Sequence, residues 1–156
     1  MNMELLVPGM IGAVFGSLGW LVVGLYIQGT QFKRQARNAA RAVYIELEMN
    51  RLSIVMARDY GSYQPLARSA FERLLPELAT WLIAADLRLI AAAFMSHAGY
   101  EQTRTTPDLP SPMRQQALAG ILTAHATALK RLGELVFTRA ERKAAPVELK
   151  VDTPGS

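Results

Sequence analysis

One uncharged run, Leu5 to Ile27, limits what this chain can fold into more than any other feature. It reads LLVPGMIGAVFGSLGWLVVGLYI. As an α-helix rising about 1.5 Å per residue it extends about 34 Å, enough for the roughly 30 Å hydrocarbon core of a bilayer. A helix satisfies its own backbone hydrogen bonds there, which irregular chain does not. The length and flanks of the run argue against the competing reading, a helix buried in a water-soluble core. A secretory signal peptide would need a basic leading segment, a shorter apolar core and a small-residue cleavage site. Here the leading flank carries only Glu4, and no Ala-x-Ala closes the run. The sequence therefore predicts a retained transmembrane helix.

Lys33, Arg34, Arg37 and Arg41 follow directly. The positive-inside rule puts that side in the cytoplasm, with residues 1–4 outside and the protein in the inner membrane. Tyr26 is placed to anchor at the interface. Within the run, Gly9, Gly12, Gly16 and Gly19 recur at intervals of three, four and three, with Ala13 and Ser17 beside them. Such a face lets two membrane helices approach closely, so these glycines are candidate helix-packing residues. The expected partners are the bilayer and a second copy or another membrane protein.

The 156 residues leave about 125 after the span, enough for one small domain. Ala and Leu are plentiful and β-branched runs are absent outside the first segment, which favours helices. A net charge of +4 and a pI near 9.7 would suit a nucleic-acid binder or an anionic membrane surface. The four cations abut the bilayer and no aromatics interleave with them for base stacking, so no nucleic-acid partner is expected.

Beyond Gly29, Ala36, Ala40, Val43, Leu47, Asn50, Ile54 and Ala57 follow the spacing of a bundle seam. A second row, Ile45, Met49, Leu52 and Met56, predicts that this helix is covered on more than one side. Tyr60 to Pro65 is a turn. Ser69 with Glu72 fits a capping box, and Pro76 predicts a break followed by a new turn of helix. Ala84 to Arg104 reads as one helix with Leu87, Ile90, Phe94 and His97 on a face. Glu77, Asp86 and Arg88 argue against a second crossing over Leu74 to Gly99. After the loop TTPDLPSP, Ser111 and Pro112 fit an N-cap and first helical position. The last helix is expected over about Met113 to Lys143, seamed by Leu118, Ile121, His125, Ala128, Leu132 and Leu135.

No catalytic constellation emerges. There is no Cys, no GxSxG, no Walker loop and no GxGxxG. His97 and His125 sit on apolar faces and read as hydrogen-bonded core or interface residues. Glu46 and Glu48 point different ways on their helix and form no acid–base pair; they read as balancing the basic flank, Arg41 by Glu48 included. Asn50, His97 and His125 are candidate partner or register contacts. No enzyme activity, metal or cofactor is expected.

The runs IELEMNRLSI and SAFERLLPELATWL and the helix up to AGYEQTR carry a resemblance. Across Tyr44 to Arg104 the chain resembles a group of uncharacterised bacterial and phage single-pass membrane proteins with a cytoplasmic helical domain. Phe71 stands where that group would have a bulkier Trp. The resemblance implies an architecture and carries no activity.

The expected fold class is all-α: one N-terminal transmembrane helix continuing into a small cytoplasmic antiparallel helical bundle. Its divisions are residues 1–4 outside, a span over 5–28, the bundle over 29–143 and a flexible tail over 144–156. The expected function is that of a membrane-anchored scaffold or subunit that oligomerises or binds a partner. The alternative is a membrane-active phage or defence effector of the lysis, exclusion or pore-forming type.

Overall fold

The computed structural model describes residues 3–144, with side-chain surroundings from 19 to 143. Among the described residues every regular element is an α-helix: α1 (Met3–Tyr60), α2 (Ser69–Trp81), α3 (Ala84–Met95), α4 (His97–Thr105), α5 (Ser111–Val136) and α6 (Arg139–Ala144). The residues 145–156, which hold nearly all of the expected tail, lie outside that description.

Contacts along the helices set the topology. On α1, Arg37 meets Val136 of α5, while Ile54 and Ala57 cluster with Leu118 and Ile121. The two helices are therefore antiparallel. On α2, Ala70 and Phe71 meet Glu46, and the preceding Ala67 meets Asn50, so α2 runs back along α1. Asp86 of α3 pairs with Arg131, and His97 of α4 with His125, so α3 and α4 run antiparallel to α5. The result is an up-down-up-down bundle in which α3 and α4 share one arm.

The seam expected on α1 is buried at all seven positions, Ala36, Ala40, Val43, Leu47, Asn50, Ile54 and Ala57. Helical spacing puts these residues on one stripe, and that stripe faces the bundle. Ala40, Val43 and Leu47 join Phe71, Leu78, Ile90, Phe94, Leu129 and Leu132 in the main core, while Ile54 and Ala57 belong to a smaller cluster around Tyr100 at the other end. Phe71 and Phe94 stack with ring centroids 4.3 Å apart. Gly133 lets α1 approach α5 closely, since a Cβ there would lie 3.3 Å from the Tyr44 ring. α1 stops at Gly61, whose φ of 67° is the left-handed cap that glycine adopts without strain.

Several local expectations are corrected. The second α1 row is not covered: Ile45, Met49, Leu52 and Met56 are exposed, because α2 and α5 both pack on the opposite side. Pro76 does not break α2, which runs through it. The burial of Phe71 and Leu78 on either side holds the helix together despite the missing N–H. Ser69 is the first helical residue and forms no box with Glu72; Arg68 takes the cap position without a side-chain bond. Ala84 to Arg104 is two helices meeting at Ser96, whose hydroxyl donates to the Ala93 carbonyl at 2.6 Å. A serine bonding back in this way competes with the helix ladder. Ser111 begins α5, with Pro110 rather than Ser111 as N-cap.

The last expected helix also divides. α5 ends at Val136 and α6 starts after Thr138, where the sequence Thr-x-x-Glu makes a true capping box. The Thr138 N–H donates to Glu141 Oε2 at 2.7 Å, and the Glu141 N–H donates to Thr138 Oγ1 at 3.2 Å. Thr138→Ala is expected to cost about 1 kcal/mol locally. Faster amide exchange confined to Arg139–Lys143 would show it, and unchanged exchange would mean that α6 is held by its contacts with α1 alone.

Candidate functional site

Two places carry the residues singled out in the sequence: the root where α1 leaves the bundle, and the polar groups buried inside it. At the root, α1 extends beyond the bundle toward its N-terminus. Trp20 (82% exposed), Leu21, Val22, Val23, Leu25 (62%), Tyr26 and Ile27 touch nothing that would cover them, and they point to every side of the helix. A helix apolar all round is not one that water solvates well. Among the described residues no helix is long and apolar enough to cross a membrane. Within the run Leu5–Ile27 the described side chains are those of Gly19–Ile27. Gly9, Gly12 and Gly16 fall outside that stretch. Gly19 has nothing within 4 Å of the position a Cβ would take.

The four cations do not act alike. Lys33 and Arg34 are exposed. Arg37 and Arg41 instead turn to α5: Arg37 Nε donates to the Val136 carbonyl at 2.8 Å, and Arg41 Nε and Nη2 donate to the same oxygen at 3.4 Å. That carbonyl lies at the C-terminal end of α5, where the helix dipole favours positive charge. Arg41 also bonds Glu141 at 2.6 Å and lies over the Phe137 ring at 5.3 Å. The Thr138 N–H and hydroxyl, with Arg41 adding to them, hold the Glu141 carboxyl below its ordinary range. The expected balance of Arg41 by Glu48 is thus corrected: Glu48 pairs with Arg51 at 2.7 Å, a turn away on the same helix.

Further along α1, two polar side chains serve neighbouring segments. Glu46 is buried, and its carboxylate accepts the N–H groups of Ala70 and Phe71 at 2.9 Å each and the Ser69 hydroxyl at 3.3 Å. It supplies from another helix the cap that α2 lacks, where the helix dipole favours an anion. Asn50, only 2% exposed, donates to the Ala67 carbonyl at 2.7 Å and accepts the Ala67 N–H at 2.8 Å. Its partner is the backbone of the connecting loop rather than a residue across the seam. The Tyr100 hydroxyl treats Gln64 in the same way, donating to its carbonyl at 2.9 Å and accepting its N–H at 3.1 Å. Loop 61–68 is therefore stapled by two side chains, each satisfying both backbone groups of one residue.

His97 and His125 come together inside the bundle, their Nε2 atoms 3.2 Å apart and their rings nearly parallel. The tautomers follow from the partners. His125 Nδ1 faces the Ile121 carbonyl at 3.0 Å, so it carries the proton and its Nε2 accepts. His97 Nε2 is then the donor, which leaves His97 Nδ1 a bare lone pair, buried without a partner. Burial, then the His125 charge and the nearby Arg68, pull the His97 pKa down to about 4. Burial also lowers His125, opposed by its bond to Ile121. Both rings are neutral at physiological pH. Among the described residues no group of three or more His, Cys, Asp or Glu is placed to hold a metal ion.

These placements separate the sequence-predicted residues into three sets. Arg37, Arg41 and Asn50 bind other parts of the chain. His97 and His125 bind each other. Gly19, Lys33 and Arg34 face outward from the projecting segment. Glu46 was read from the sequence only as a charge-balancing residue. Its capping role had no sequence signal, because Ala70 and Phe71 lie 24 and 25 positions away. The chain matches no protein-family model, no curated protein and no solved structure.

Proposed function

We propose that this chain is a membrane-anchored helical scaffold or subunit. The N-terminal part of α1 crosses the bilayer and the bundle sits on its cytoplasmic side, where it oligomerises or binds a partner. One observation carries this reading. Gly19–Ile27 is the end of an uncharged run, its large side chains are exposed on all sides of the helix, and exposed Lys33 and Arg34 follow it. Lipid is the solvent in which such a segment loses nothing by having no protein neighbour. Lys33 and Arg34 give the orientation. The inward-turned Arg37 and Arg41 fix the bundle close beneath the interface. Among the described residues, buried Glu46, Asp86, His97 and His125 each bond within the chain, so the reading assigns them no catalytic role.

Alkaline carbonate extraction of membranes from expressing cells tests the anchor. The full chain should stay in the pellet, and Val14→Arg with Leu18→Arg, near the centre of the Leu5–Ile27 run, should move much of it to the supernatant. Each charge near the middle of a span costs about 2.5–3.5 kcal/mol on insertion scales. Release of the unaltered chain by carbonate overturns the proposal. Dye entry or growth arrest on induced expression would favour the membrane-active effector instead.

A further inference from the structure

We propose that the outward row of α1 is a self-docking surface on which a second copy of this chain pairs in parallel and in register. Ile45 (61% exposed), Met49 (60%), Leu52 (49%) and Met56 (37%) form it. Their spacing of four, three and four is that of a coiled-coil seam, with Ile45 and Leu52 at d and Met49 and Met56 at a. At about 100° per residue this row lies about 160° around the helix from the buried seam. α1 therefore has two apolar faces, and its own bundle uses only one.

Four features favour a second copy as the occupant. First, α1 is unbroken from Met3 to Tyr60. Two copies anchored in one bilayer send this helix out in the same direction and at the same depth, so each row residue meets its equivalent. Second, the e and g flanks of the row bring no like charges together, and Asp59, the next d position beyond Met56, is paired with Arg58 of its own helix at 2.7 Å. In a parallel pair, g and the following e positions place Glu48 beside Ser53 and Val55 beside Tyr60. Glu48 is already neutralised by Arg51 at 2.7 Å, and Ser53 bonds the Met49 carbonyl of its own helix at 3.2 Å. Third, the row ends toward the membrane at Ala42 and Asn38, and exposed Asn38 occupies the next d position. A polar residue at one such position fixes register.

The fourth feature is size. A patch of this kind is on the order of a few hundred Å² on each copy, below the roughly 800 Å² per partner of a stable soluble complex. Such a face is too small to hold free molecules together. It suffices once a shared membrane raises the effective concentration. In this respect the inference rests on the anchoring proposed above.

Cysteine crosslinking tests it cleanly, because the native chain has no Cys. Full-length Ile45→Cys, Met49→Cys, Leu52→Cys and Met56→Cys variants are oxidised in isolated membranes. Glu72→Cys and Gln115→Cys, exposed on α2 and α5, are the controls. The row variants should give a product of twice the chain mass, at least fivefold more than the controls. Adding Met49→Lys should suppress crosslinking at Met56→Cys. These side chains lie outside the core, so the variants keep the fold, which circular dichroism verifies. Crosslinking equal at row and control positions, or a product of any other mass, overturns the pairing. Carbonate extraction of the same samples keeps the two proposals apart. A chain that stays in the pellet without crosslinking refutes the pairing alone, and a chain that is released refutes the anchor.

Discussion

Glu46→Ala is expected to destabilise the bundle by about 3 kcal/mol, although Glu46 belongs to neither hydrophobic cluster. Its carboxylate accepts two backbone N–H groups at 2.9 Å at the start of α2, and that helix has no cap of its own. A hydrogen bond to a charged group contributes about 1.5–3 kcal/mol, and a buried donor left without a partner incurs its full desolvation cost. Phe71, whose N–H is one of the two, is buried and stacks on Phe94, so a frayed first turn would also loosen the core. Glu46→Gln keeps the acceptor oxygen and loses the charge, so about half the loss is expected. Urea unfolding of the full chain in detergent, followed by circular dichroism at 222 nm, measures both. A change below about 0.5 kcal/mol for Glu46→Ala would mean that water replaces the carboxylate at this end of α2.

Acid should weaken the same bundle through the histidine pair, by about 2 kcal/mol between pH 6.5 and pH 4. The folded protein lowers the His97 pKa to about 4, and an unfolded histidine titrates near 6.5. As pH falls through this window the unfolded chain takes up a proton that the folded chain refuses, so stability declines. Above pH 6.5 the contribution is complete, and below pH 4 it no longer changes. The lowering of His125 acts in the same direction. The unpartnered His97 Nδ1 is the atom that accepts the proton, and the resulting cation would lie beside Phe94 and His125, with Arg68 near enough to repel it. Replacing both histidines with Gln should flatten the decline between pH 6.5 and pH 5, where few carboxylates titrate. An equally steep decline in that variant would place its origin elsewhere.

The stripe from Ala36 to Ala57 was legible because its information is local. Burial of one helix face imposes a 3.6-residue repeat, and the repeat is visible without knowing what covers it. The faces around Ile90 and Phe94 and around Leu118, Ile121 and Ala128 were legible for the same reason, and these residues are buried. Local signals failed where two of them competed. At Pro76 a helix-breaking residue met strong flanking burial, and burial prevailed. At Thr138 a genuine capping box lay unnoticed within a run that was otherwise helical.

By itself, the sequence determined the helical class, the inward stripes and the position of one long uncharged run, since each depends on residues a few places apart. Only the tertiary structure decided that Arg41 reaches Glu141, that Glu46 caps α2, that His97 faces His125, and that Ile45 to Met56 is left bare. Those pairings join positions 24 to 100 residues apart. Helix packing selects among many partners of equal chemistry, and the order of residues along the chain does not record which one it chooses.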